Sequence, residues 1–258
     1  MNFSEYSQIP AVNFSTLKEM ARSPKAYQHR LTHPREDTAA MALGRAVHTA
    51  VLEADRLPLE YAVWEGRRGT NDFKDFVLAQ GARQILTVAD YAHILAIRDA
   101  VHAHPVAGKL LVKGKPEETA DWRDRATGLA CKCRIDFLSS RYLIDLKTTR
   151  SIEPWSFAGD AARLKYVHQL AYYRRGLIGD RAVRIIAVES EPPHDVAVYK
   201  VPESLLCAAD VEIDDLLARV VECTASGIWP GAYPEPVELD VPGWAFDDYE
   251  SGAIALES

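Results

Sequence analysis

The sequence predicts an α/β fold, a central mixed β-sheet flanked by α-helices, and three observations carry that prediction. Apolar residues recur at helical spacing from the N-terminus to about Pro105. The period changes to two at Lys115. A long helical stretch then separates the first strand-like runs from a second set. Helices, then a hairpin, then a helix and more strands is the order of a mixed sheet with helices laid against it.

Taken in order, "VNFSTLKEMARSPKAYQHRL" is helical, with Ser15 as N-cap and Pro24 opening a second turn. "DTAAMALGRAVHTAVLEADR" is a stronger helix, with Met41, Val47, Val51 and Leu52 spaced for a buried face. "EYAVWEGRRGTNDFKDFVLAQGARQIL" holds a short strand, a basic glycine-containing loop and another helix. "TVADYAHILAIRDAVHAHP" is helical, capped by Thr87 and stopped by Pro105. The runs "EETADWRD", "LACKCRIDFL", "YLIDLKTT", "RAVRIIAVES" and "DVAVYKV" are strands. "WSFAGDAARLKYVHQLAYYRRGL" reads as one long helix, and "ESLLCAADVEIDDLLARVVECTASG" as another that ends near Gly227. The Pro/Gly-rich remainder reads as an extended arm. The expected organisation is one domain over residues 1–230 and an acidic arm over 231–258.

The chain has 258 residues, 48% of them hydrophobic, enough for one large core. No apolar run approaches the roughly 20 residues that span a bilayer, and the N-terminus has neither the basic nor the apolar region of a signal peptide. A cytoplasmic protein with four reduced thiols is expected. The net charge of −7 at first argues against nucleic acid, but the charge is uneven. Residues 208–258 hold 12 Asp/Glu and one basic residue, Arg219, whereas the rest carries 29 Lys/Arg against 25 Asp/Glu. A mildly basic body with an acidic tail leaves room for a local basic path. The tail itself reads as a solvated segment, with a partner contact or a brake on nonspecific DNA binding as the sharper alternative.

The chemistry concentrates in "CRIDFLSSRYLIDLKTT". Carboxylates and a lysine inside an apolar run are costly to bury unless paired or bound to a metal. Alternation puts Asp145 and Lys147 on one face, and Lys132, Arg134 and Asp136 on one face of the preceding strand. The short "SSR" turn brings Asp136 near Asp145, where two carboxylates repel unless a cation lies between them. Such oxygen ligands suit Mg²⁺ or Mn²⁺, and a lysine beside them can orient water. The competing reading is a plain Asp–Lys ion pair at a sheet end. His48 sits one turn after Gly44 on an otherwise apolar helix, and Gln169 and Tyr173 share a helix face. Ala120 and Trp122 mark the core face of the strand before the hairpin, which favours Glu117 over Glu118 as the polar residue facing the site.

The ordered set His48, Glu117, Asp136, Asp145-x-Lys147 and Gln169-x-x-x-Tyr173 resembles the PD-(D/E)xK nuclease superfamily, and within it the RecE-like nuclease domains and phage recombination exonucleases. "FSTLKEMARSPKAYQHRL", "ALGRAVHTAVLE", "HPVAGKLL", "EETADWRDRATGLACKCRIDFL", "LIDLKTT" and "YVHQLAYYRRGL" carry it, from about residue 13 to 178. The resemblance implies a restriction-endonuclease-like core. It implies that Asp136, Asp145 and the Leu146 carbonyl bind Mg²⁺, with His48 and Glu117 completing the shell. Lys147 would position the attacking water, and Gln169 and Tyr173 would order the site and the DNA end. It further implies digestion of linear double-stranded DNA from 5′ to 3′ by a ring-shaped trimer or tetramer. That reaction would give 5′-phosphates and leave a 3′ strand for a RecT-like annealing protein, in a bacterial or phage-encoded setting.

Candidate DNA contacts are Lys18, Arg22, Arg45, Arg67 and Arg68, the last two in the "GRRG" loop. Iron–sulfur nucleases with this core carry a cysteine before the nuclease motifs; here Cys131, Cys133, Cys207 and Cys223 all follow His48, so no cluster is expected. A site-specific endonuclease and a catalytically silent DNA-binding module are the remaining alternatives. P-loop, HExxH and GxSxG motifs are absent, which removes the corresponding ATPase, zinc protease and hydrolase readings.

Overall fold

A computed structural model describes residues 3–34, 36–233 and 235–242 of the chain. Helix α1 (Phe3–Gln8) is followed by α2 (Phe14–Leu17), a 3₁₀ turn (Lys18–Ala21) and α3 (Pro24–Thr32). Then come α4 (Ala39–Leu52), α5 (Leu57–Glu60), β1 (Tyr61–Trp64), α6 (Asn71–Gln80), β2 (Gln84–Thr87), α7 (Val88–Ala103) and α8 (Ala107–Leu110). The second half runs β3 (Lys115–Arg123), β4 (Ala130–Leu138), β5 (Tyr142–Thr149), α9 (Pro154–Arg163), α10 (Tyr166–Arg175), β6 (Ala182–Glu189), β7 (Val196–Lys200) and α11 (Glu203–Ser226).

The strands β3 to β7 form one five-stranded sheet in that spatial order. Only the β5–β6 pair is parallel, because α9 and α10 supply the crossover that parallel neighbours require. The strands feed two cores, and β4 changes face between Ile135 and Phe137. On one face Cys131, Cys133, Ile135 and Leu143 pack with Leu17, Met20, Leu170, Tyr172 and Leu217. On the other, Phe137, Ile144, Leu146 and Ile186 pack with Val47, Val51, Ile94 and Ile97. The result is a restriction-endonuclease-like α/β core, a mixed sheet between two helical layers.

Several local expectations need correction. Asn13, not Ser15, caps α2: it is extended at φ −122° and ψ 156°, and its side chain accepts from the Thr16 N–H at 3.0 Å. Met41 is 38% exposed, because the first turn of α4 overhangs a cleft; Leu43 packs against the core and full burial begins at Ala46. The short strand β2, read from sequence as the end of a helix, pairs in parallel with β1. The long helix after β5 is two helices, α9 and α10, separated at Lys165, whose φ of 62° is left-handed. Glu212 on α11 holds that break, accepting from Lys165 Nζ at 3.2 Å beside its 2.8 Å contact with His168.

The acidic excess is in part a docked helix face and not a solvated tail. On α11, Asp210 and Asp214 meet Arg175 at 2.8 and 2.7 Å, and Glu203 meets Arg174 at 2.7 Å. These pairs fix the basic C-terminal end of α10 against α11. The chain then packs Trp229 on Tyr27 with ring centroids 5.8 Å apart. Between Gly227 and Pro242 the described residues carry no helix or strand. The part of the expected arm beyond residue 242 lies outside the described residues.

Candidate active site

The site forms where β4 and β5 separate. Their antiparallel ladder has only two residue pairs, Phe137 with Ile144 and Leu138 with Leu143. Beyond them the strands splay, and a buried backbone donor left there would be costly. Asp136 satisfies it: its Oδ2 accepts the Leu146 N–H at 2.8 Å. On β3, Pro116 and Glu118 keep their partners on β4, but Glu117 between them adopts a φ of 50°. That conformation is rare for a non-glycine residue. Glu117 thus lies across the ladder from Asp136. His48 comes from α4 on the other side, with Nδ1 3.6 Å from Asp136 Oδ2.

Electrostatics follow from this crowding. Burial, then repulsion from Asp136, raises the Glu117 carboxyl to about 7, against the pull of Arg134. Arg134 Nε stands 2.6 Å from Glu117 Oε2. Burial holds the His48 pKa below its usual value, against Asp136, so the imidazole is neutral at pH 7 and its lone pair is available. Asp145 is 1% exposed, and burial pushes its carboxyl up while Lys147 pulls it down. Lys147 Nζ lies 2.7 Å from Asp145 Oδ2. Burial works against that ammonium, but Asp145 and Asp136 outweigh it and hold its pKa above the usual lysine range.

The α10 face completes the arrangement. Gln169 Nε2 donates to Tyr173 Oη at 2.9 Å and to Asp145 Oδ1 at 3.4 Å. Burial keeps the Tyr173 phenol protonated far above neutral pH. The ring of Tyr166 lies under Lys147, with Nζ 4.9 Å from its centroid.

Ligand atoms of His48, Glu117 and Asp136 lie within 4.8 Å of one another, close enough to converge on one ion. A neutral imidazole with two carboxylates is a donor set that suits a divalent cation. The crowding that raises Glu117 is the repulsion such an ion relieves. Asp145 does not join this group, since its Oδ2 is held by Lys147. Leu146 contributes its N–H to Asp136.

His48, Glu117, Asp136, Leu146, Lys147 and Tyr166 line a cleft of about 2170 Å³ walled by α1 and α2 on one side and α4 on the other. Lys18 and Arg45 line it. Arg45 is engaged with Asp37 through two bonds of 2.7 and 2.8 Å. Arg22, Arg67 and Arg68 are not among the lining residues; Arg22 pairs with Glu19 at 3.1 Å and Arg68 donates to the Ile85 carbonyl at 3.3 Å. Sequence reasoning missed Arg30, Arg56, Arg83, Arg134 and Tyr166, all of which line the cleft. Two of these left a signal. Arg134 shares strand parity with Asp136, and Tyr166 falls at i−3 and i−7 from Gln169 and Tyr173, on the same helix stripe.

Residues 13–238 match the family described as a PDDEXK-like domain of unknown function, DUF3799. The chain belongs to this PDDEXK-like family. The solved structure of a "Putative exonuclease" from Eubacterium rectale is similar to the PDDEXK-like chain with a TM-score of 0.65 and 14% identity, covering 97% of this chain and 96% of that one. An alkaline exonuclease from Laribacter hongkongensis aligns with a TM-score of 0.33 and 10% identity, over 70% of this chain and 91% of its own. No curated protein matches the chain. Among the described residues no helix is long and apolar enough to cross a membrane.

Proposed function

We propose that this PDDEXK-like chain is a Mg²⁺-dependent exodeoxyribonuclease acting on the ends of linear double-stranded DNA, with Mn²⁺ able to substitute. The observation that carries the reading is that Asp136, Lys147, His48 and Glu117 line one cleft of about 2170 Å³, with Asp145 buried behind Lys147 at 2.7 Å. Small-molecule pockets hold about 300–1,000 Å³, so the cleft is scaled for a polymer.

The reaction is hydrolysis: water oxygen bonds to phosphorus, the bond to the 3′ oxygen breaks, and a 5′-phosphate remains. A divalent ion held by His48, Glu117 and Asp136 would supply Lewis-acid stabilisation of charge on the phosphate. Lys147, oriented by Asp145 and by the Tyr166 ring, donates toward the attacking water and the non-bridging oxygens. Gln169 fixes Asp145 and Tyr173 together, so the site keeps its geometry when substrate enters. Lys18 and Arg45 are the proposed phosphate contacts in the cleft, with Arg67 and Arg68 engaging DNA farther out.

The reading extends to 5′-to-3′ polarity, a ring-shaped trimer or tetramer enclosing the duplex, and delivery of the 3′ strand to a RecT-like annealing protein. A ring cannot leave its substrate between cuts, which accommodates an acidic chain whose basic groups face inward. Catalysis falls to one domain, residues 1–230, in the cytoplasm of a bacterial or phage-infected cell. The exonuclease name carried by the Eubacterium rectale protein of this fold agrees with the mode proposed.

The test is digestion of a linear duplex labelled at either end, with Mg²⁺ or EDTA, beside a closed circle and the Lys147→Ala variant. Mg²⁺-dependent loss of the 5′ label, with the circle intact and the variant inactive, supports the proposal. Cutting of the circle assigns an endonuclease. No cutting by folded protein leaves a DNA-binding module.

A further inference from the structure

Arg134 makes a 2.6 Å contact to Glu117 within the metal-ligand group. It sits on β4 two residues before Asp136, on the same face, and reaches diagonally across the ladder to β3. Its Nε lies 2.6 Å from Glu117 Oε2, and both side chains are largely buried, at 16% and 17% exposure. Glu117 needs such an anchor. It is the residue between Pro116 and Glu118 that leaves regular strand conformation, at a φ of 50°, while its neighbours stay in register. A glutamate with three side-chain torsions on a left-handed backbone has no intrinsic reason to point at His48 and Asp136.

We infer that Arg134 is a positioning residue that holds Glu117 in place as a metal ligand; this rests on the metal-dependent nuclease reading. The contact is an ion pair from Nε to Oε2, and the planar guanidinium restricts where that carboxylate can sit. Partners that orient metal ligands in this way typically change metal affinity about 10- to 100-fold when removed.

Two effects of Arg134 on a bound cation oppose each other, and this makes the inference decidable. As a nearby positive charge, Arg134 repels a divalent ion, so its loss alone tightens binding. As the anchor of Glu117, its loss weakens binding. The experiment titrates Mn²⁺ into full-length wild type, Arg134→Gln, Arg134→Lys, Glu117→Gln and the Arg134→Gln/Glu117→Gln double variant. Bound ion is read by electron paramagnetic resonance, without DNA, and folding of each variant by near-ultraviolet circular dichroism.

Expected is about tenfold weaker Mn²⁺ binding in Arg134→Gln despite the lost repulsion, with partial rescue in Arg134→Lys. The double variant is expected to bind no more weakly than Glu117→Gln alone, since both changes remove the same ligand. Unchanged or tighter binding in Arg134→Gln overturns the inference, as does full additivity in the double variant. If Arg134→Gln does not fold, the Arg134→Lys comparison carries the same decision, because lysine keeps the charge and loses the fork. Absence of Mn²⁺ binding by wild type overturns the metal-dependent reading itself, a result distinguishable from either outcome above.

Discussion

The Leu146 amide donates a 2.8 Å hydrogen bond to Asp136 Oδ2, across the point where β4 and β5 part. One side chain thereby closes a gap in the backbone ladder and presents a carboxylate to the cleft. The two roles separate by substitution. Asp136→Asn keeps an acceptor for Leu146 and loses the anion, so it is expected to fold while nuclease rate falls about 100-fold or more. Asp136→Ala also leaves the amide unpaired and costs a further 1–3 kcal/mol or so. Urea denaturation beside a cleavage assay checks this; equal stability of the two variants defeats the ladder role.

Lys147 neutralises a carboxylate that is almost fully buried. Lys147→Ala strands Asp145 without its partner, a change that typically costs about 3–5 kcal/mol. The double variant Asp145→Asn/Lys147→Met removes both charges and is expected to be more stable than Lys147→Ala, although equally inactive. Thermal unfolding of the metal-free proteins ranks them. A double variant less stable than the single one contradicts the ion-pair account.

The Glu117 carboxyl, raised to about 7, sets a pH dependence with a definite sign. Its folded pKa exceeds its unfolded value, so between about 4.5 and 7 the folded state holds the extra proton. Stability from this group is therefore lost as pH rises through that window in the metal-free protein. A divalent ion reverses the trend by favouring the anion, and binding releases a proton. Mg²⁺ affinity is expected to climb through pH 7, and in Glu117→Gln the climb flattens. Isothermal titration calorimetry in buffers of differing ionisation enthalpy counts the protons.

Tyr166 supports Lys147 through its ring and not its hydroxyl. Tyr166→Phe keeps the π face and is expected to stay within about twofold of wild-type rate, whereas Tyr166→Leu loses roughly 1–2 kcal/mol of cation–π stabilisation at a desolvated site. If that loss falls on Lys147 in the transition state, the rate drops about 5- to 30-fold. Single-turnover cleavage at saturating DNA and Mg²⁺ distinguishes the pair; equal losses in both variants point instead to the hydroxyl.

Much of this molecule was readable before any coordinate. Period-two alternation placed Asp145 with Lys147, and Arg134 with Asp136. The core markers Ala120 and Trp122 put Glu117 on the polar parity, and helical spacing joined Gln169 to Tyr173. These are local consequences of backbone repeat, which a sequence determines by itself. The α/β class followed from the order of the same repeats. What needed the tertiary structure were events in which distant segments compete for one group. The splay of β4 from β5, the left-handed Glu117 and its contact with Arg134 involve separate strands and have no local pattern. Asp145 stands 2.7 Å from Lys147, because a tethered ammonium two residues away neutralises a buried carboxylate at no cost in association entropy. The break at Lys165, and the docking of acidic α11 on α10, likewise depend on Glu212, Asp210 and Asp214 arriving from 35 or more residues downstream. Long-range electrostatics of that kind has no period to read.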